Sequence, residues 1–108
     1  MGGILKTISV QELKNLFENK TPFTLLDVRE NEELQIAHIK PNTHIPMGQI
    51  VERIKELKKE ELVVVMCHSG VRSARVCHYL SENGYNSKNL IGGINQWSVE
   101  IDQKVPQY

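Results

Sequence analysis

Apolar residues fall in short clusters along the chain, and two kinds of spacing alternate. Val10, Leu13, Leu16 and Phe17 recur at helical spacing, with Ser9 and Glu12 forming a capping box ahead of them. Thr7-Ile8 reads as a short first strand, and Pro22 closes the helical region. Phe23-Thr24-Leu25-Leu26-Asp27-Val28 reads as a buried strand, and Arg29 to Leu34 as a turn into a short helix. Between Ala37 and Pro46, Pro41 excludes a helix and His44-Ile45 supplies a short strand. Ile50, Ile54 and Leu57 mark the inner face of an amphipathic helix from Gln49 to Leu57, followed by a solvated connection, Lys58-Lys59-Glu60-Glu61. Val63-Val64-Val65-Met66 is a β-branched apolar run that ends on Cys67, the pattern of a fully buried parallel strand. Ser73 to Leu80 reads as a helix closed by Asn83-Gly84. Ser87 to Leu90 is a last short strand, Gly92-Gly93 a sharp turn, and Ile94 to Val99 a terminal helix carrying Trp97.

Strands alternating with helices argue for a parallel sheet covered on both faces. Every apolar segment is short, so the sheet is small, and 108 residues fit one domain, 1–108, with one modest core. A formal net charge of +0 gives no reason to expect nucleic acid or an anionic membrane as partner. Met1-Gly2-Gly3 leads into mixed polar sequence, with no apolar stretch long enough for a signal peptide or a membrane span, so a reduced, cytoplasmic setting is expected. The two cysteines, Cys67 and Cys77, form no CxxC pair, and no two of Cys67, His38, His44 and His78 stand at the usual ligand spacing, so no metal is expected. No cofactor is expected either.

The candidate chemistry sits where the Val63–Met66 run ends. A thiol at the carboxyl end of a buried strand, followed by a polar loop that opens a helix, lies where open α/β sheets bind ligands. The amides and dipole of that helix N-terminus favour an anion. They also favour the thiolate, as does a nearby arginine, here Arg72. Gly70 gives the loop a backbone conformation that a Cβ would forbid, so that His68, Ser69, Gly70, Val71, Arg72 and Ser73 form a nest of amides around one small anion. Burial raises a thiol's pKa. A donor must still reach the sulfur, so partial exposure and a net lowering are expected for Cys67. The bland alternative is an inert, buried strand-end cysteine; the polar, glycine-containing loop and Arg72 weigh against it.

Four segments in order, Asp27-Val28-Arg29-Glu30, Ala37-His38-Ile39 with Ile45-Pro46, the Cys67–Ser73 loop, and Leu90-Ile91-Gly92-Gly93-Ile94-Asn95-Gln96-Trp97, give the chain a resemblance to the rhodanese, or sulfurtransferase, family. The resemblance covers nearly the whole chain. It implies a three-layer α/β/α sandwich with a five-stranded parallel sheet, of the single-domain type. It also implies a double displacement in which Cys67 takes sulfane sulfur from thiosulfate or a similar donor. The resulting persulfide passes the sulfur to cyanide or a thiol, which includes a protein thiol. Ala37 stands where the family usually has glycine, Pro41-Asn42 where it has a small Gly-Ala pair, and His68 where it often has arginine. The first two bear on the backbone path before the third strand. The third bears on donor preference or pH profile, since histidine titrates near neutrality.

Cys67 is therefore the expected nucleophile, with the amides of His68 to Ser73 stabilising thiolate, persulfide and anionic donor. Arg72 is expected to bind the donor anion, with pairing to a carboxylate as its alternative role. Ser73 is expected to cap the helix through its side chain. Asp27 and Arg29 are expected to brace the site, Arg29 with Glu30 and Glu33 as nearby partners. His38, His44 and His78 read as structural, Trp97 and Tyr85 as core or rim, and Cys77 as core packing. Cys77 lies about 6 Å along the helix axis from Ser73, before the loop is added, which sets it against a disulfide with Cys67, whose Cα atoms must approach within ~7 Å.

Two further classes compete with the sulfurtransferase. Cysteine phosphatases and arsenate reductases share this fold and loop style, but their loops carry five residues between cysteine and arginine. Here four intervene, His68, Ser69, Gly70 and Val71, a tighter cradle suited to one sulfur atom. A non-catalytic interaction module on the same fold commonly lacks the cysteine, which this chain retains.

Overall fold

The computed structural model describes residues 5–108, so the Met1-Gly2-Gly3 opening lies outside the described residues. Five strands form one sheet: β1 (Thr7–Ile8), β2 (Phe23–Asp27), β3 (Thr43–His44), β4 (Leu62–Met66) and β5 (Ser87–Leu90). All pairings are parallel, in the order β1-β5-β4-β2-β3. The central pair runs in register from Phe23 opposite Leu62 to Asp27 opposite Met66. Against the sheet pack α1 (Val10–Glu18), α2 (Asn31–Ile36), α3 (Ile50–Arg53), α4 (Val71–Glu82) and α5 (Gly93–Glu100).

The period of two along the central strands divides the core. Leu25, Val64 and Met66 face one side with Val10 and Leu13 of α1 and Ile94 and Trp97 of α5. Leu26, Val63, Val65 and Cys67 face the other with Ile50 of α3 and Val76, Cys77 and Leu80 of α4. A strand buried on both faces must be apolar at every position, which is why β4 reads as an unbroken run. The expected five-stranded α/β/α sandwich is the observed one.

Connectivity fixes where a ligand can sit. From β2 the chain moves outward to β3, and from β4 it moves the opposite way to β5. The paths part between β2 and β4, and open parallel sheets leave a crevice outside the carboxyl ends of such a pair. Asp27 ends β2, and Cys67 directly follows β4.

Local differences from the sequence reading have physical causes. The Ser9–Glu12 capping box is present, with Glu12 N–H donating to Ser9 Oγ (3.1 Å) and Ser9 N–H to Glu12 Oε1 (2.9 Å). The helix expected over 49–57 is broken into a 3₁₀ turn at Met47–Gln49, the short α3, and a second 3₁₀ turn at Ile54–Glu56. Tyr85 Oη donates to the Ile54 carbonyl (2.9 Å), satisfying an acceptor where the helix tightens. The third strand is Thr43–His44, not His44-Ile45. α4 starts at Val71, two residues before the expected Ser73, because Gly70 already serves as its N-cap in the left-handed region (φ +112°). Arg72 and Ser73 thus stand in the first turn. Among the described residues, no helix is long and apolar enough to cross a membrane.

Candidate active site

The Cys67 sulfur is the point on which the loop closes. Gly70 N–H donates to it at 3.1 Å, Ser73 N–H reaches it at 3.4 Å, and Ser73 Oγ lies 3.3 Å away. The first two carbonyls of the loop are tied to the next helix: Ile94 N–H donates to Cys67 O (3.0 Å) and Asn95 N–H to His68 O (3.1 Å). This places the first turn of α5 directly under the loop. A Cβ on Gly93, at φ +57°, would stand 2.5 Å from both of those carbonyl oxygens, so this approach requires glycine. The Gly92-Gly93 turn is therefore part of the site's construction.

Cys67 is only 1% exposed, not partly open as the sequence reading expects. The same closure that supplies the donors covers the sulfur. Burial is the largest influence on its thiol and pushes the pKa up; the Ser73 hydroxyl and the amides of Ser73, Gly70 and Ser69 oppose it and together hold the thiol below its ordinary value. Ser73 does not cap the helix, which is a correction to the sequence reading. Its hydroxyl faces Cys67 and donates to Asn89 Oδ1 (2.5 Å) on β5.

Asp27 and Arg29, expected as braces of the site, pair with each other. Both side chains are fully buried, and Arg29 donates to the Asp27 carboxylate through Nε (3.0 and 3.2 Å) and Nη2 (2.7 Å). The Glu30 and Glu33 carboxylates do not take Arg29; its remaining contacts are Ala37 O (2.8 Å), Glu33 O (3.4 Å) and Tyr108 Oη (2.8 Å). Removing one partner of such a buried pair costs about 3–5 kcal/mol, because the other charge is left without compensation.

Arg72 takes the role that the sequence reading gave as its alternative. Its fork closes on Glu33, Nη1 to Oε1 at 2.6 Å and Nη2 to Oε2 at 2.8 Å. Glu33 also accepts from Glu30 N–H (3.0 Å) and from Tyr108 Oη (2.7 Å). Arg72 is the first cause of a carboxyl pKa lowered to about 2. A guanidinium has five N–H donors, and this fork engages two of them, so Arg72 keeps donors for a second anion. The Tyr108 ring stacks on His68 with centroids 4.2 Å apart and planes 14° apart. His68 Nε2 beneath it is buried without a hydrogen-bond partner. Val71, by contrast, is exposed.

Glu33, Asn89, Gly93 and Tyr108 are the site residues that sequence reasoning missed. Asn89 carried a signal, a polar residue in a buried strand, which must find partners. Glu33 was one of three acidic residues in its stretch, with nothing local to single it out, and Tyr108 gave no signal at all. Elsewhere, His44 Nε2 meets the Arg29 carbonyl (2.7 Å) and His38 Nδ1 the Leu34 carbonyl (3.1 Å), both structural contacts. Cys77 is buried in the core, its thiol is free and it donates to Ser87 Oγ.

The chain is thus a parallel five-stranded α/β/α domain with a cysteine-centred amide loop at the switch point of its sheet. This chain belongs to the rhodanese-like domain family, whose model matches residues 9–100. It is 40% identical over 100 residues to the Bacillus subtilis protein named "Putative sulfurtransferase YtwF", covering 93% of this chain and 97% of that one. The maize "Adenylyltransferase and sulfurtransferase MOCS3-2" is 35% identical over 109 residues, but there the chain spans 23% of the relative's length. Among solved structures, a rhodanese-like domain protein from Staphylococcus aureus superposes with a TM-score of 0.84 at 34% identity, covering 96% of this chain and 99% of that one.

Proposed function

We propose that the protein is a sulfurtransferase in which Cys67 carries the sulfur. The observation that supports this most directly is the pair of loop amides, Gly70 and Ser73, aimed at the Cys67 sulfur. The Cys67 thiolate attacks the outer sulfur of thiosulfate or a similar donor. The donor's S–S bond breaks, and sulfite leaves with the electron pair. Cys67 then bears a persulfide whose negative terminal sulfur lies against the same amides. Cyanide or a thiolate attacks that terminal sulfur, the S–S bond to Cys67 breaks, and the Cys67 thiolate returns. Electrons balance without an external oxidant or reductant. Arg72, with N–H donors beyond those on Glu33, is the donor-anion ligand. His68, with a free ring nitrogen in the loop, bears on donor preference. The chemistry needs a free thiol, which a reducing, cytoplasmic setting supplies.

The acceptor class includes protein thiols. A Bacillus subtilis relative, 33% identical over 96 residues, is named "Putative sulfur carrier protein YrkF"; this chain spans 52% of its length. The competing phosphatase or arsenate reductase reading is disfavoured by the four-residue spacing between Cys67 and Arg72. The test is intact mass after incubation with thiosulfate. One added sulfur, mapped to Cys67 and discharged by cyanide, is the expected result. No added sulfur, together with phosphate release from an aryl phosphate that is lost in Cys67→Ser, would reverse the choice. Neither product, with a folded protein, would favour an interaction module.

A further inference from the structure

Ser73 has one hydroxyl proton and two neighbours placed to take it. Its oxygen lies 3.3 Å from Cys67 Sγ and 2.5 Å from Asn89 Oδ1. The other end of Asn89 decides which neighbour has the stronger claim. Asn89 Nδ2 donates to the Gly70 carbonyl oxygen at 3.1 Å, an atom that only accepts. The amide is thereby oriented with Oδ1 towards Ser73, and Oδ1 also only accepts. Ser73 therefore donates to Asn89 and turns its lone pairs to Cys67. For a thiol this is a match, since S–H donates to Ser73 Oγ. For a thiolate it sets lone pair against lone pair until the hydroxyl swings round and gives up Asn89. Ser73 is fully buried, Cys67 1% exposed and Asn89 7%, so these bonds act in a medium of low polarity, where a bond to the neutral form opposes ionisation.

We propose that Asn89 is a positioning residue for Cys67 and acts through Ser73: by claiming the hydroxyl proton it holds Cys67 in its thiol form. On ionisation the thiol proton leaves to solvent and the Ser73 proton turns from Asn89 to the sulfur. Once Cys67 carries a persulfide, the charge has moved to the terminal sulfur, and the Ser73 proton returns to Asn89. This deepens the reading of Cys67 as the sulfur-carrying residue and rests on it. The charged and titratable groups around the loop are Arg72 on α4, Glu33 on α2, the Asp27–Arg29 pair at the end of β2, and His68 and Tyr108 above it. β5 and the first turn of α5 present neutral groups, Asn89 and the amides of Ile94 and Asn95. None of the charged groups changes when Asn89 is replaced.

The test is a cycle of Asn89→Leu, Ser73→Ala and the double variant, read as the pH dependence of iodoacetamide alkylation at Cys67. Peptide mapping separates Cys67 from Cys77. With Ser73 present, Asn89→Leu should alkylate about three- to ten-fold faster than the parent at a pH below the midpoint, the worth of one returned hydrogen bond. Ser73→Ala removes the hydroxyl through which Asn89 acts, so adding Asn89→Leu to it should change little. Asn89→Ala, which adds no bulk to β5, gives a second reading, and an unchanged Cys77 profile reports an intact core. Slower or unchanged alkylation in both Asn89 variants would overturn the proposal. So would an equal change with and without Ser73, which would mean that Asn89 acts on loop shape through Gly70. The pH midpoint of alkylation reads ionisation and not sulfur transfer, so a failure to carry sulfur would leave this result standing, and the reverse holds equally.

Discussion

The two cysteines form a controlled comparison within one chain. Cys67 and Cys77 are each 1% exposed, and each sulfur lies beside a serine hydroxyl, at 3.3 Å from Ser73 and 3.2 Å from Ser87. Each serine also donates its own proton to a carbonyl oxygen, Ser73 to the Asn89 side chain and Ser87 to the Cys77 backbone (3.0 Å). Yet burial pushes the Cys77 thiol above its ordinary value, while the Cys67 thiol lies below it despite the same burial. What differs is the backbone. Cys77 is in mid-helix, where amides are committed to the carbonyls one turn back. Cys67 faces N–H groups at a helix start, where amides have no such partner. Activation here is a property of where the thiol stands in the fold.

The largest effect should come from exchanging sulfur for oxygen at each site. Cys67→Ser should lose sulfur transfer to background, because a hydroxyl without an adjacent base is a poor nucleophile. Cys77→Ser should keep most of its turnover while losing about 1–3 kcal/mol of stability from burying a hydroxyl. Thiocyanate formation and thermal melts measure the two. A folded but inactive Cys77→Ser would end the contrast and bring a relay between the thiols into view.

The next effect should come from loosening the loop without touching the sulfur. Gly93→Ala puts a Cβ against the carbonyls of Cys67 and His68 and strains a residue at φ +57°. The expected cost is about 1–3 kcal/mol. As the loop shifts, its amides leave the sulfur, and the alkylation profile of Cys67 should move up towards that of Cys77. A variant destabilised to that extent with an unmoved Cys67 profile would show that the amide geometry does not depend on the α5 contact.

That α5 contact also marks the boundary of what the sequence discloses. Strand β4, the loop glycine and the capping box are local patterns, and periodicity, turn chemistry and a three-residue spacing recover them. Which partner a buried polar group takes is not set by sequence distance. Arg29 had two acidic residues close in sequence and took Asp27, because both emerge from the end of β2 into the same closed space. Glu33 was read beside Arg29, yet its carboxylate is held by Arg72, thirty-nine positions away. The early start of α4 has the same origin: Gly70 could be placed as a turn residue from sequence, but its left-handed φ makes it the cap, which leaves Ser73 free for Cys67 and Asn89.

The smallest effect tests the outer brace of the Cys67 loop. The Arg72 guanidinium beside it holds the Glu33 carboxyl down at about 2, well below its ordinary value of 4.5. A depressed carboxyl stabilises the fold fully above its unfolded value and loses that contribution as pH falls through the folded one. The Glu33–Arg72 contribution should therefore be whole above roughly pH 4.5 and fade towards pH 2. Both side chains keep some solvent exposure, 19% for Glu33 and 32% for Arg72, which screens the pair and limits its worth to the order of 1 kcal/mol. Glu33→Gln should melt about 4 °C or more below the parent near neutrality. The gap between the two melting curves should narrow between pH 4.5 and pH 2 as the parent carboxyl takes up its proton. Cys77 alkylation should not respond at all, whereas Cys67 should respond weakly, because Arg72 is freed from one carboxylate but remains in the first turn beside the loop. A gap that stays constant down to pH 2 would mean that Glu33 acts by shape and not by charge, and that Arg72 is held in place by something other than this pair.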